Sequence, residues 1–156
     1  MYLDFHGHSG KKNMFMFGPS YNITQALYYK CRILPKILAN ITPVFRYYAC
    51  TYDIPNDKKT TARAVMLNEL NLPIVFTVET SLGFYYDANV GKVLIFDRKK
   101  WESLGVSVVM AIKEYYEDLD QLEEYMDNKK KTKRDKEESG TNVSIMTRKN
   151  LKEPKR

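Results

Sequence analysis

The chain has 156 residues, 44% of them hydrophobic and 13% aromatic, which is enough apolar material for one globular domain. Its formal net charge of +6 lies at one end: residues 128–156 hold 11 Lys or Arg against 4 Asp or Glu, whereas residues 1–127 hold 14 against 15. Because the first 127 residues carry no excess of positive charge, the composition does not indicate a nucleic-acid-binding fold, and nucleic acid is not an expected partner.

The sequence also lacks the segments that direct a protein to a membrane or out of the cell. It has no run of about 18 apolar residues, so no transmembrane helix is expected. The first ten residues resemble no signal peptide, since they have neither a basic nor a long apolar segment. The two cysteines, Cys31 and Cys50, form no CxxC motif or disulfide framework. These features predict a cytoplasmic protein.

The first part of the chain predicts two short strands and then a helix. Residues 2–6 and 14–17 are apolar runs, with a polar His-Gly-His-Ser turn between them. From residue 22 to about 39 the apolar spacing indicates a helix, in which Pro35 predicts a kink or two abutting helices. Residues 44–52 are consistent with either a strand or an irregular extended segment.

The second part predicts a helix, a buried strand and a long helix. A turn at residues 55–57 precedes helical composition at 61–70. Residues 74–78 are almost continuously apolar, which is typical of a central strand covered on both faces, and a loop follows from Glu79. Asp97 is a plausible N-cap for the long helix. Its apolar stripe consists of Val108, Ile112, Tyr115, Leu119, Leu122 and Met126.

Strands that alternate with helices predict an α/β fold for residues 1–127. Residues 128–156 have no core-forming periodicity and are predicted to be a disordered basic tail. Such a tail is ordinarily a solvated extension, and attraction to an acidic surface is its functional alternative.

Both histidines of the chain lie at the end of the first predicted strand. His6 and His8 straddle a glycine, so both can face one cleft, and neutral imidazole is a good zinc ligand. Asp4, two residues earlier, is placed to orient a ligand ring. The alternative is a pair of turn histidines that form hydrogen bonds with the backbone.

Two further polar residues are candidates for chemistry. Glu79 follows the buried strand, where burial would raise its pKa and make it a proton acceptor near neutral pH; the alternative is a structural carboxylate at a strand end. Arg63, on a helical segment, can clamp a carboxylate with two hydrogen bonds, although a solvent-facing arginine is the more common case.

In order along the chain, these residues resemble the zinc carboxypeptidases of the M14 family, and especially the cytosolic carboxypeptidase branch, whose members remove glutamates from tubulin and other proteins. Four segments spread over residues 3–126 carry the resemblance. They are Asp-Phe-His-Gly-His-Ser at 4–9, which continues through Lys and Asn into an aromatic strand, Thr-Ala-Arg-Ala-Val-Met at 61–66, Phe-Thr-Val-Glu at 76–79, and a Leu-Gly pair at 104–105 before a closing helix.

The resemblance implies a mixed sheet with helices on its faces and a hydrolase that uses Zn²⁺. It makes His6 a zinc ligand and Glu79 the catalytic general base. It also makes Arg63 and His8 substrate-binding residues. The implied reaction removes C-terminal residues, glutamate above all, from acidic protein tails such as that of tubulin.

The chain departs from the family in one essential respect. The other two zinc ligands come from a His-x-x-Glu motif upstream of this block, and neither His6 nor His8 is followed by Glu at the third position. We therefore expect residues 1–127 to be the C-terminal portion of a catalytic domain, which needs a completing N-terminal half. The alternative hypothesis is an inactive remnant that binds acidic protein tails.

Overall fold

The structure, a computed structural model, describes residues 1–121. Residues 1–115 form one compact unit, and a second unit begins at Tyr116. No helix in the described part of the chain is long and apolar enough to cross a membrane. The strands and helices are β1 (Tyr2–His8), β2 (Met14–Phe17), α1 (Ala26–Ile41), α2 (Ala62–Asn68), β3 (Val75–Ser81), β4 (Phe84–Asp87), β5 (Lys92–Ile95) and α3 (residues 98–121).

A three-stranded mixed sheet carries the candidate site. Its order is β1–β3–β2, with β1 parallel and β2 antiparallel to the central strand β3. Val75, Phe76 and Val78 of β3 are fully buried, as the apolar run predicts for a strand covered on both faces. The mixed sheet with its helices confirms the predicted α/β class.

The two outer edges of this sheet differ. The outer edge of β2 bonds to the irregular segment that follows α1: Met14 N–H donates to the Val44 carbonyl at 3.2 Å, and Thr51 N–H donates to the Met16 carbonyl at 3.0 Å. No strand among residues 1–121 pairs with the outer edge of β1. Strands β4 and β5 form a separate antiparallel hairpin.

The sequence predicts a turn at His6–His8 and a loop from Glu79, and both predictions are wrong because β1 extends to His8 and β3 extends to Ser81. The His-Gly-His segment belongs to β1 and is not a turn, and Glu79 lies within β3 and not in a loop after it. The reason is pairing: β3 finds a partner for Glu79 on each side, His6 on β1 and Phe15 on β2. Pairing with β3 keeps His6, Gly7 and His8 extended, and pairing on both sides keeps Glu79 extended, although the composition of these segments alone does not favour a strand.

Helix α1 runs continuously across Pro35, so of the predicted alternatives the pair of abutting helices is wrong. Pro35 offers no N–H to the Cys31 carbonyl, but it is buried with Leu34 and Leu38, and this apolar contact offsets the missing hydrogen bond. Residues 44–52 take the irregular alternative and contain a short turn of 3-10 helix at Tyr47–Ala49.

Helix α3 confirms its predicted start, since the Lys100 N–H donates to the Asp97 carboxylate at 2.7 Å. The Leu-Gly pair at 104–105 lies inside this helix and not before it. Leu122, Met126 and the tail 128–156 lie outside the described residues. The buried side of α3 follows helical spacing through Leu104, Val108, Ala111 and Tyr115.

Candidate active site on the mixed sheet

Strand register brings His6 and Glu79 side by side. His6 on β1 pairs with Glu79 on β3, and Glu79 pairs with Phe15 on β2, so these three side chains share one face of the sheet. Neighbouring strands are about 4.8 Å apart, so an imidazole and a carboxylate on adjacent strands can both contact one small group placed between them. We call this side of the sheet the Glu79 face; its other members are Asp4, His8, Phe17, Thr77 and Ser81.

Asp4 orients the His6 ring, as its position in the sequence predicts. The Nε2 atom of His6 lies 2.9 Å from Oδ2 of Asp4, and the His6 side chain is half exposed. When Nε2–H donates to a carboxylate, the lone pair of the imidazole is left on Nδ1. With Nε2 held by Asp4, Nδ1 is the ring nitrogen of His6 that a metal would contact.

The Glu79 carboxylate is partly buried on the central strand. The ion pairs among residues 1–121 include Asp4–His6, Asp57–Lys58 and Arg98–Glu102, and Glu79 takes part in no ion pair within this part of the chain. A carboxylate without an ion pair keeps its oxygens available to accept a proton from a bound water or substrate. Glu79 thus lies between His6 and Phe15 in the register of the sheet, and its role as a base remains a prediction.

His8 shares the face with His6, but the loop after β1 occupies one of its ring nitrogens. Its Nδ1 accepts hydrogen bonds from the Gly10 N–H at 3.0 Å and the Lys11 N–H at 2.9 Å. The ring also meets the edge of Phe15, with centroids 5.2 Å apart. The predicted substrate-binding role of His8 is thus left to Nε2, since Nδ1 already has two donors.

Lys11 is a polar residue on this face that the sequence interpretation did not include. Its Nζ atom lies over the rings of Phe15 and Phe17, 4.8 Å and 5.8 Å from their centroids. Lys11 follows His8 by three residues, a spacing that lets the imidazole accept from its backbone N–H, and this spacing is the signal that could have identified it.

Arg63 lies away from the sheet face among backbone carbonyls. It is only 5% exposed, and its guanidinium donates to the carbonyls of Gly18 and Asp53. Burial lowers the pKa of this guanidinium, and the charge of Asp53 opposes that effect. These hydrogen bonds connect two segments of the chain, and the role of Arg63 in substrate binding remains a prediction.

A cavity of about 330 Å³ lies between the sheet and α3, but it is not the site of the carboxylate. Phe5, Met14 and Thr80 line it from the sheet face opposite Glu79, together with Trp101 and Leu104 of α3. Its lining is mostly apolar and does not include Glu79. His6 on the edge strand also lines this cavity, whereas Glu79 on the central strand does not.

The residues present do not make a complete zinc site. No group of three His, Cys, Asp or Glu side chains that could hold a metal occurs in the described part of the chain. Catalytic zinc takes three protein ligands, and His6 is the one predicted in this chain. The thiol of Cys50 is no substitute, because burial raises its pKa to about 11, although its hydrogen bond from Met16 and the charge of Lys11 lower it.

Sequence comparison gives consistent relatives. No family model matches the chain. It is 34% identical over 129 residues to cytosolic carboxypeptidase 1 of Xenopus laevis, which covers 72% of this chain and 10% of that protein. It is 31% identical over 138 residues to cytosolic carboxypeptidase 3 of Mus musculus, which covers 80% of this chain and 13% of that protein. The chain thus spans about a tenth of the length of these curated relatives.

Structure comparison agrees on the fold. A metallo-carboxypeptidase from Burkholderia cenocepacia superimposes with a TM-score of 0.62 at 16% identity, over 76% of this chain and 31% of that one. The fold of this chain is thus that of part of a metallo-carboxypeptidase. The chain belongs, as a partial match, to the cytosolic carboxypeptidase branch of the M14 zinc carboxypeptidase family.

Proposed function

We propose that this chain is the C-terminal portion of a cytoplasmic zinc metallocarboxypeptidase domain. In the completed enzyme it supplies the general base, Glu79, and one zinc ligand, His6. The register pair of His6 with Glu79, with Asp4 orienting the imidazole, is the observation that carries the proposal. The names of the curated relatives support the reaction class, which is hydrolysis at the C-terminus of a protein.

The proposed substrates are acidic protein tails such as that of tubulin, from which the enzyme removes glutamate. The residues proposed to bind them are Arg63 and His8. The remaining two zinc ligands would come from a His-x-x-Glu motif in a completing N-terminal half, because this chain contains no such motif. The chain by itself is therefore proposed to lack peptidase activity.

Glu79 does the acid–base work in this proposal. A carboxylate on the central strand, flanked by His6 and Phe15, is held in a fixed position by hydrogen bonds on both sides of its backbone. It accepts a proton from the attacking water and then returns a proton to the leaving amine. Because the backbone of Glu79 is fixed, its carboxylate stays in the same position for both proton transfers.

The test uses the longest translated product of the transcript that encodes this chain. If that product carries an upstream His-x-x-Glu, Glu79→Gln should abolish glutamate release from a polyglutamate peptide while the zinc content stays unchanged, because Glu79 is not a ligand. Glu69→Gln, which changes an exposed carboxylate after α2, is the matched control and should leave turnover intact. Loss of zinc from the Glu79 variant would show that its role is misassigned.

The second candidate function is a non-enzymatic module that binds acidic protein tails. The incomplete donor set of the described residues favours it. A transcript without an upstream His-x-x-Glu, together with binding but no cleavage of polyglutamate, would support this function and contradict the enzyme.

A further inference from the structure

We propose that Lys11 is the specificity-determining cation of the Glu79 face, where it pairs with a carboxylate of an acidic peptide, and that His8 is the positioning residue that holds it. The inference rests on the proposed function, because it assigns the substrate contact of the same site. It reassigns His8 from direct substrate contact to support of the loop between β1 and β2.

The first step is that His8 fixes the start of this loop. Two successive N–H groups, those of Gly10 and Lys11, donate to one imidazole nitrogen. The ring itself is braced against Phe15, which is fully buried. A Cβ at Gly10 would come within 3.3 Å of the His8 ring, so the loop backbone packs closely on the imidazole.

The second step is that Asn13 fixes the end of the loop. It is 3% exposed and has a left-handed backbone with φ of 70°. Its side-chain amide donates to the carbonyls of Val44 and Tyr86, and its Oδ1 accepts from the Tyr86 N–H at 3.0 Å. A loop held at both ends by such bonds presents its side chains in one arrangement, which lowers the entropy lost on binding.

The third step is that the loop places the ammonium group of Lys11 on the Glu79 face. The ammonium of Lys11 lies over Phe15 and Phe17, which are members of the Glu79 face, and it has no acidic partner in the part of the chain that the structure describes. A cation held over aromatic rings of this face attracts an anionic group toward it. Lys12 is also exposed but makes neither ring contact, so it is a matched control.

The experiment measures binding of a polyglutamate peptide to the full chain without metal. Affinity is read from amide resonances of Lys11, Phe15 and Phe17, so that peptide bound to the basic residues 128–156 is seen separately. Lys11→Gln should weaken binding at these amides about fivefold, the size of a partly exposed ion pair, while Lys12→Gln has a smaller effect and Lys11→Arg restores affinity.

Two modified peptides identify which carboxylate Lys11 contacts. An amidated polyglutamate that still binds indicates side-chain recognition, whereas a polyglutamine peptide with a free C-terminus that still binds indicates recognition of the terminal carboxylate. Both results support the proposal, provided that Lys11→Gln removes the preference.

His8→Phe tests the positioning role, because it keeps the ring contact with Phe15 and removes the acceptor nitrogen. Hydrogen exchange at the Gly10 and Lys11 amides should accelerate, and peptide affinity should fall toward that of Lys11→Gln. Equal affinity of Lys11→Gln and the unchanged chain would overturn the proposal, and unaltered exchange in His8→Phe would overturn the role of His8. Either result leaves the Glu79 test of the enzyme intact, since no step here depends on catalysis.

Discussion

Arg63 illustrates at the scale of one residue how burial decides the job of a charged side chain. Its guanidinium is almost inaccessible, and the partners that it contacts are backbone carbonyls at Gly18, after β2, and Asp53, in the segment that follows α1. A buried carbonyl that loses its donor costs more free energy than the hydrogen bond itself contributes. Arg63 therefore ties two chain segments together beside the sheet.

This anchoring predicts the effect of a conservative change. Arg63→Lys replaces the several N–H donors of the guanidinium with one ammonium group, which cannot serve the carbonyls of Gly18 and Asp53 equally well. The free energy of unfolding should therefore fall by about 1–3 kcal/mol. Urea denaturation measures the change, and Arg98→Lys, at a side chain that is 91% exposed, should be close to neutral. Unchanged stability together with weaker peptide binding would instead favour the substrate-binding role.

At the scale of elements, composition and periodicity predict what is local, and strand pairing decides the rest. The apolar run of β3 and the four-three-four spacing of α3 identify both elements from sequence. The sequence does not predict the hairpin β4–β5, because its side chains are largely exposed, with Ile95 at 72%, and show no buried alternation. It predicts a loop at Glu79 because the pairing of this residue with residues 6 and 15 has no local signature.

In the candidate site, too, local sequence predicts some features and strand pairing decides the others. The Asp4–His6 contact could be predicted from the spacing of the two residues, and the structure confirms it, whereas the catalytic roles of His6 and Glu79 stay predictions. The placement of Lys11 could not be predicted from the sequence, because it depends on which imidazole nitrogen of His8 faces the loop. That choice follows from the packing of His8 on Phe15, a contact between two strands that are not sheet neighbours.

The end of β2 has a packing constraint that predicts a second stability change. A Cβ at Gly18 would lie 2.7 Å from a ring atom of Tyr52 and 2.9 Å from one of Phe76. Both rings would have to move, so Gly18→Ala should destabilise the fold by about 1–3 kcal/mol. Thermal unfolding measures this. Gly83→Ala is the matched control, because no atom lies within 4 Å of its added Cβ; equal melting temperatures of the two variants would contradict the packing argument.

At the scale of the whole molecule, the sheet is open on one side. Among residues 1–121, β1 has a strand neighbour only in β3, and Phe5 on this edge strand is 60% exposed. An open edge with exposed apolar side chains is a template for another strand. The edge lies on the strand that carries His6, so a completing N-terminal half that supplied further zinc ligands would be well placed against it.

The open site predicts how the chain responds to metal. A ligand stabilises a fold in proportion to the logarithm of its concentration over its Kd, and one oriented imidazole gives a weak Kd for zinc. The melting temperature of the isolated chain should therefore be the same with micromolar zinc as with a chelator, and gel filtration should strip the metal. Addition of an N-terminal half that carries His-x-x-Glu should make the melting temperature zinc-dependent, and His6→Ala should then remove that dependence. Stoichiometric zinc retained by the chain alone would contradict the argument, because the described residues contain no group of three side chains that could hold the metal.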